Sequence, residues 1–89
     1  MTNANEAKRM TNEAREAKMR EAREEARETC EVTLNERIEE AARNAHNTTF
    51  HASDVYMYDK DFYKAVKQYL EDKGYKVYRQ SARVITIEW

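Results

Sequence analysis

The apolar positions in the first half of the chain are sparse and fall into two sets along one helical stretch. The first set has the 3-4-3 spacing of a heptad seam and consists of Ala7, Met10, Ala14 and Ala17. The second set strengthens from residue 30 onward and consists of Ala22, Ala26, Cys30, Leu34, Ile38, Ala41 and Ala45. At about 100° per residue the two sets centre on opposite sides of a straight helix. We therefore expect the second set to pack on the chain's own domain and the first to be free for another partner.

The sequence signal for the start of this helix is clear, whereas the signals in its middle are ambiguous. Asn3 is a favourable N-cap residue, and Glu6 three residues later completes a box-like pair of backbone contacts. No helix-breaking residue follows until about His46, and at about 1.5 Å per residue this predicts a rod of roughly 60 Å. The segment ETCEVT contains weaker helix formers, and residues 33–36 repeat a capping-box pattern. The rod is expected to continue, kink or restart there.

After residue 45 the pattern changes from helical to alternating and back. NTTFHA predicts a short strand over residues 48–52, whereas SDVYMYD is compatible with a loop, a strand continuation or a turn of helix. Residues 60–73 have the pattern of an amphipathic helix, with Asp59 or Ser53 as its cap. Gly74 stands where a helix end favours a left-handed residue.

The C-terminal segment alternates between apolar and polar positions. YKVYRQ and RVITIEW predict two strands joined around residues 81–82. One face of this hairpin contains Tyr75, Val77, Ile85, Ile87 and Trp89. Because a large ring gains more from burial than from fraying, we expect Trp89 to be anchored.

These elements predict an α+β fold with two parts. A long N-terminal helix precedes a small three-stranded sheet, in β-α-β-β order, packed by one short helix. Residues 1–30 are predicted to be a charged helical extension used for oligomerisation. Residues 31–89 are predicted to be a small α+β domain that includes the end of the long helix.

Charge and composition narrow the function classes. The chain has 89 residues, with 16 basic and 17 acidic side chains and a net charge of −1, which makes general nucleic-acid binding unlikely. Cys30 is the only cysteine, and His46 and His51 have no nearby cysteine to complete a zinc set. No signal peptide or membrane span is recognisable, so a soluble intracellular protein is expected. No catalytic motif is present either, which predicts a non-enzyme without metal or cofactor.

The second half of the chain resembles a loose group of small phage and prophage proteins. The resemblance covers roughly residues 35–89 and is carried by RIEEAARNA, LEDKGYKV and the terminal ITIEW. The matching positions are Ile38, Ala41, Ala42, Leu70, Gly74, Tyr75, Val77, Ile85, Ile87 and Trp89. All of them are structural positions, so the resemblance implies fold and origin more than function. It implies a phage protein acting in the host cytoplasm, either against host defences or as part of the virion.

A set of aromatic and basic residues is the candidate ligand-binding site. It consists of Tyr58, Lys60, Lys64, Tyr78, Arg79 and Arg83. Tyrosine rings can stack on a base while Lys or Arg meets phosphate, so a nucleotide-type ligand is one interpretation. The alternative is that these amphipathic side chains simply cover a thin sheet.

The charged rod also allows more than one interpretation. It could be a solvated helix held by local ion pairs, a helix specific for another protein, or an oligomerisation helix whose small side chains permit close approach. Residues 1–45 carry 9 basic and 11 acidic side chains, which disfavours a nucleic-acid arm. The first hypothesis is a non-enzymatic, phage-type homo-oligomer that sequesters a host component or a nucleotide-type signal. The alternative is a virion structural or assembly protein that docks through its N-terminal helix.

Overall fold

The computed structural model describes all 89 residues and shows one uninterrupted helical rod at the N-terminus. The rod consists of α1 (Ala4–Thr29), a single π-helical turn (Cys30–Leu34) and α2 (Asn35–Arg43). The Asn3 side chain caps it as predicted, because its Oδ1 atom accepts the N–H of Glu6 at 2.9 Å. The rod dominates the shape of the molecule, which measures 62 × 22 × 17 Å. The helix neither stops nor restarts at residues 33–36.

The π turn explains how one stripe of side chains can face the domain along half of the rod. The buried residues of the rod recur at every fourth position and are Ala22, Ala26, Cys30, Leu34 and Ile38. In an uninterrupted α-helix each four-residue step drifts by about 40°, so Ile38 would point about 160° away from Ala22. A π turn contains one extra residue, which turns everything after it back by about 100° and leaves a drift of about 60°. The irregularity therefore keeps the apolar stripe on one side.

The remaining elements form a small sheet and two further helices. In chain order they are β1 (Thr48–Ala52), α3 (Val55–Tyr58), α4 (Lys60–Asp72), β2 (Lys76–Arg79) and β3 (Val84–Glu88). The ambiguous SDVYMYD segment contains a single turn of helix. Asp59 caps α4 by accepting the N–H of Phe62 at 3.0 Å, and Gly74 takes a φ of +94° after the helix. The glycine conformation was predicted, and of the two caps left open, Asp59 and Ser53, the structure selects Asp59.

The sheet has the strand order β1-β3-β2, and both pairs are antiparallel. Thr49, Ile87 and Val77 lie side by side across it, and Phe50, Thr86 and Tyr78 form the next row on the opposite face. Because the side chains of a strand alternate between faces, the buried residues of the hairpin, Val77, Ile85 and Ile87, share one face. Phe50 and Tyr78 on the other face are each 51% exposed.

The core lies between the apolar face of the sheet and a layer made by α4 and the rod. Its buried members are Ala26, Cys30, Leu34, Ile38, Tyr56, Phe62, Val66, Leu70, Val77, Ile85 and Ile87. The α+β fold predicted from the sequence is therefore confirmed. Burial in the rod already begins at Ala22, because α4 extends along α1 and covers both Ala22 and Ala26. The predicted boundary at residue 30 thus falls inside the packed part of the rod.

Trp89 is anchored through its backbone more than through its ring. Its N–H donates to the carbonyl oxygen of Asn47 at 3.0 Å, which extends the β1–β3 ladder by one pair. The ring meets Tyr75 edge to face at 6.1 Å between centroids but remains 38% exposed. The chain end is therefore docked, whereas the ring is only partly covered.

Candidate functional site

The first turns of the rod form an arm whose residues are all exposed, and only Met19 near its end lines a surface shared with α4. Every residue from 1 to 21 is exposed, and the first buried side chain is Ala22. We call residues 4–21 the arm. The heptad seam lies wholly within it and consists of Ala7, Met10, Ala14 and Ala17, with Met10 59% exposed. The seam predicted as an oligomer interface is therefore open to solvent in the single chain.

The arm is held in helical form by its cap and by weak local contacts. Arg9 and Glu13 approach to 3.9 Å as an i, i+4 pair, and both side chains are largely exposed. The Thr11 hydroxyl donates to the Ala7 carbonyl at 2.9 Å. Exposed ion pairs of this kind contribute only about 0.3–0.5 kcal/mol each. Helix propensity and these contacts alone leave such a segment marginal in water.

A groove lies where the arm enters the domain, between α1 and α4. It has a volume of about 500 Å³, and its apolar lining consists of Met19, Ala22, Ala65 and Tyr69. Its α1 rim carries Arg23, Glu24 and Arg27, and its α4 rim carries Asp61, Lys64, Gln68 and Asp72. Sequence reasoning missed this site, because it depends on which side of α1 the helix α4 occupies. The small side chains of Ala22 and Ala65 were the available signal for close helix packing.

The predicted ligand-binding residues have different surroundings in the structure. Lys64 lies in the groove, and Tyr78 lies on the open face of the sheet. Tyr58 is 78% exposed at the end of α3, and Lys60 is exposed at the start of α4. Arg83 pairs with Asp54, with 3.3 Å between Nη1 and Oδ1. Of the six predicted residues, only Lys64 lines the groove.

Arg79 is occupied by contacts within the chain. Its guanidinium lies over the Tyr63 ring, 4.6 Å from the centroid, and donates to the carbonyl oxygens of Tyr56 and Ala82. A further, longer bond from Nε reaches the Ser81 carbonyl at 3.4 Å. The side chain thus fastens α3, α4 and the β2–β3 turn together. This set of contacts explains Arg79 as a structural clip.

A second depression of about 430 Å³ lies beside the π turn. Cys30 and Glu31 line it from the rod, and Tyr69, Lys73 and Tyr75 line it from the other side. The Tyr69 hydroxyl donates to Glu31 Oε1 at 3.0 Å, and this bond raises the pKa of Tyr69. Burial, assisted by the Glu31 carboxylate, raises the pKa of the Cys30 thiol to about 12. Cys30 therefore stays protonated near neutral pH and is a poor nucleophile.

His51 and Tyr56 form a hydrogen-bonded pair of side chains inside the packed region. His51 Nδ1 lies 2.9 Å from the Tyr56 hydroxyl, and the two rings meet edge to face. Burial lowers the pKa of His51, and the nearby Arg37 charge lowers it further. The pair satisfies the hydroxyl of the fully buried Tyr56, and no third catalytic group joins it. We therefore interpret it as a structural contact.

The chain contains neither a cluster of metal-ligating side chains nor a membrane-spanning helix. No three His, Cys, Asp or Glu side chains are grouped so that they could hold a metal ion. None of the helices combines the length and apolar character needed to cross a lipid bilayer. The chain matches no protein-family model, no curated protein and no solved structure.

Proposed function

We propose that this chain is a non-enzymatic, phage-type binding protein whose arm joins it to further copies of itself. The observation that carries the proposal is the exposed seam on residues 4–21, a segment in which no side chain is buried. An apolar 3-4-3 stripe on a helix is the pattern that another helix covers. Self-association would bury this stripe and stabilise a segment that is marginal alone.

The proposed mode of action is sequestration of a host component in counter-defence. The resemblance of residues 35–89 to small phage proteins supports the setting. Of the side chains predicted for a nucleotide, Arg79 is engaged within the chain, Arg83 pairs with Asp54 and only Lys64 lines the groove. A host protein is therefore a better candidate for the sequestered component than a nucleotide bound within one subunit. A nucleotide would need a pocket assembled from several subunits.

The virion or assembly role is the second candidate. A helix that projects beyond its domain is a suitable anchor in a larger lattice, and the 62 Å length of the molecule comes from this projection. The two roles differ in where the protein is found. Mass spectrometry of purified particles would detect a virion component, whereas a counter-defence protein would be expressed early and left out of particles.

Light scattering on the full chain tests the self-association. The chain is expected to be oligomeric at micromolar concentration, and Ala14→Glu should shift it toward monomer by placing a charge in the seam. Asn12→Glu is the matched control, because residue 12 lies about 160° around the helix from residue 14. A monomeric wild-type chain, or equal effects of the two substitutions, would remove the proposal.

A further inference from the structure

The groove and the seam have complementary shapes. The groove is concave and has an apolar floor, and Met19 is half exposed within it. The seam is a convex stripe of three alanines and one methionine. Small residues on a helix allow other helices to approach closely, as Ala22 and Ala26 allow α4 to approach α1. The seam therefore has the form of a ridge that a groove between two helices can accept.

The two surfaces also match in length. The α4 wall of the groove runs from Asp61 to Asp72, which is about 16 Å along a helix. The seam runs from Ala7 to Ala17, which is about 15 Å. A docked seam would fill the groove from end to end and leave little of either surface exposed.

The charges nearest the seam differ in sign between its two sides. At about 100° per residue, Glu6 and Glu13 lie nearest the seam on one side of the helix, whereas Arg9, which pairs with Glu13 at 3.9 Å, and Arg20 lie farther round on that side. The opposite flank is basic and consists of Lys8, Arg15 and Lys18. The arm is thus an apolar stripe with an acidic edge and a basic edge.

The rims of the groove show the complementary separation. Arg23 and Arg27 stand on the α1 rim, and Asp61 and Asp72 stand on the α4 rim. None of these four forms an ion pair within the chain, although Asp72 accepts a bond from the Gln68 side chain at 2.8 Å and Arg23 donates to the Met19 carbonyl at 3.3 Å. Glu24 on the first rim and Lys64 on the second weaken the contrast, but each rim keeps an excess of its own sign.

The direction of the two surfaces decides which copy fills the groove. On α1 the groove-lining positions 19, 23 and 27 centre about 160° around the helix from the seam. The arm continues straight out of α1, so its seam cannot turn back into its own groove. A second copy must supply the seam, and the contact joins two different surfaces. Such a contact repeats from copy to copy and gives a ring or an open chain.

We infer that the seam of one copy docks into the α1–α4 groove of the next, with its acidic edge along Arg23 and Arg27 and its basic edge along Asp61 and Asp72. This inference rests on the proposed self-association and specifies its geometry. It also makes a complete groove dependent on a neighbouring subunit, because Met19, which is half exposed in the single chain, is covered only when the seam is in place.

Site-directed cross-linking of full-length chains tests this geometry. A chain carrying Ala14→Cys is mixed with one carrying Gln68→Cys, whose side chain stands on the groove wall, and the thiols are oxidised. The expected product is the mixed disulfide dimer, in several-fold excess over that from Asn12→Cys mixed with Gln68→Cys. Wild-type chain controls for Cys30, which is buried.

The possible results distinguish docking in the groove from self-association in general. A predominant Ala14→Cys homodimer would show that seams pair with each other, which overturns docking in the groove and leaves self-association intact. Docking in the groove is likewise overturned if the chain is oligomeric by light scattering but yields no mixed dimer above the control. A monomeric chain without cross-links would overturn both.

Discussion

At the scale of single residues, Arg79 shows how a side chain suited to ligand binding can serve the fold. Its guanidinium bonds several backbone carbonyls and stacks on Tyr63. Arginine can do this because its planar fork presents donors in several directions while its face lies on a ring. The contacts join segments that are distant in sequence, so no local pattern could reveal them.

Arg79→Lys should therefore destabilise the fold although it keeps the charge. A lysine ammonium cannot reproduce the fan of bonds and the ring contact, so we expect a loss of about 2 kcal/mol in the free energy of unfolding. Arg83→Lys is the matched control, because its single exposed pair with Asp54 is worth less than about 1 kcal/mol. Chemical denaturation of both variants gives the comparison. Equal stability of the two would contradict the role assigned to Arg79.

His51 makes the stability of the domain depend on pH. Burial lowers its pKa in the folded chain below the ordinary value of 6.5. The unfolded chain therefore binds a proton more readily, and the contribution of neutral His51 is present above about pH 6.5 and is lost as the pH falls through the folded pKa. Thermal melts between pH 7.5 and pH 5 should show this decline, and His51→Gln should reduce its slope. An unchanged slope in the variant would assign the decline to other groups.

At the scale of elements, the π turn is the feature that sequence reasoning could not resolve. The four-residue spacing of Cys30, Leu34 and Ile38 fits a restarted helix, a kinked helix or a π turn equally well. Packing against the sheet and α4 selects the π turn, because it buries all three side chains on one side of the rod. Local propensity contains no information about that requirement.

Deleting Val32 tests this account of the π turn. The deletion removes the extra residue and should turn Leu34 and Ile38 about 100° away from the face that contains Ala22 and Ala26. We expect the free energy of unfolding to fall by about 3 kcal/mol or more, as for the loss of large core side chains. Val32→Ala is the control, since Val32 is 59% exposed and alanine favours helix. A deletion as stable as the control would contradict the phase argument.

Other elements were predictable because local and tertiary requirements agree. Residues 48–52 are β-branched and aromatic, and they form a strand paired with β3. Val66 and Leu70 share the apolar face of α4, and that face is buried as its period predicts. The groove was not predictable in the same way, because its walls come from helices about forty residues apart in sequence. Only the relative placement of α1 and α4 creates it.

At the scale of the whole molecule, the chain divides into a packed domain and an arm in which no side chain is buried. The domain buries its own apolar side chains, and no buried polar side-chain atom lacks a hydrogen-bond partner. The arm has only its cap, its helix propensity and exposed ion pairs. This asymmetry is why the proposed function centres on the arm.

The most direct test of the central claim is amide hydrogen exchange of the full chain, measured at several protein concentrations. If another copy covers the seam, amides of residues 4–21 should become more protected as the concentration rises, while core amides such as those of Leu34 and Val66 stay unchanged. Fast exchange in residues 4–21 that does not change with concentration would mean that the arm is free and frayed, and would contradict the account.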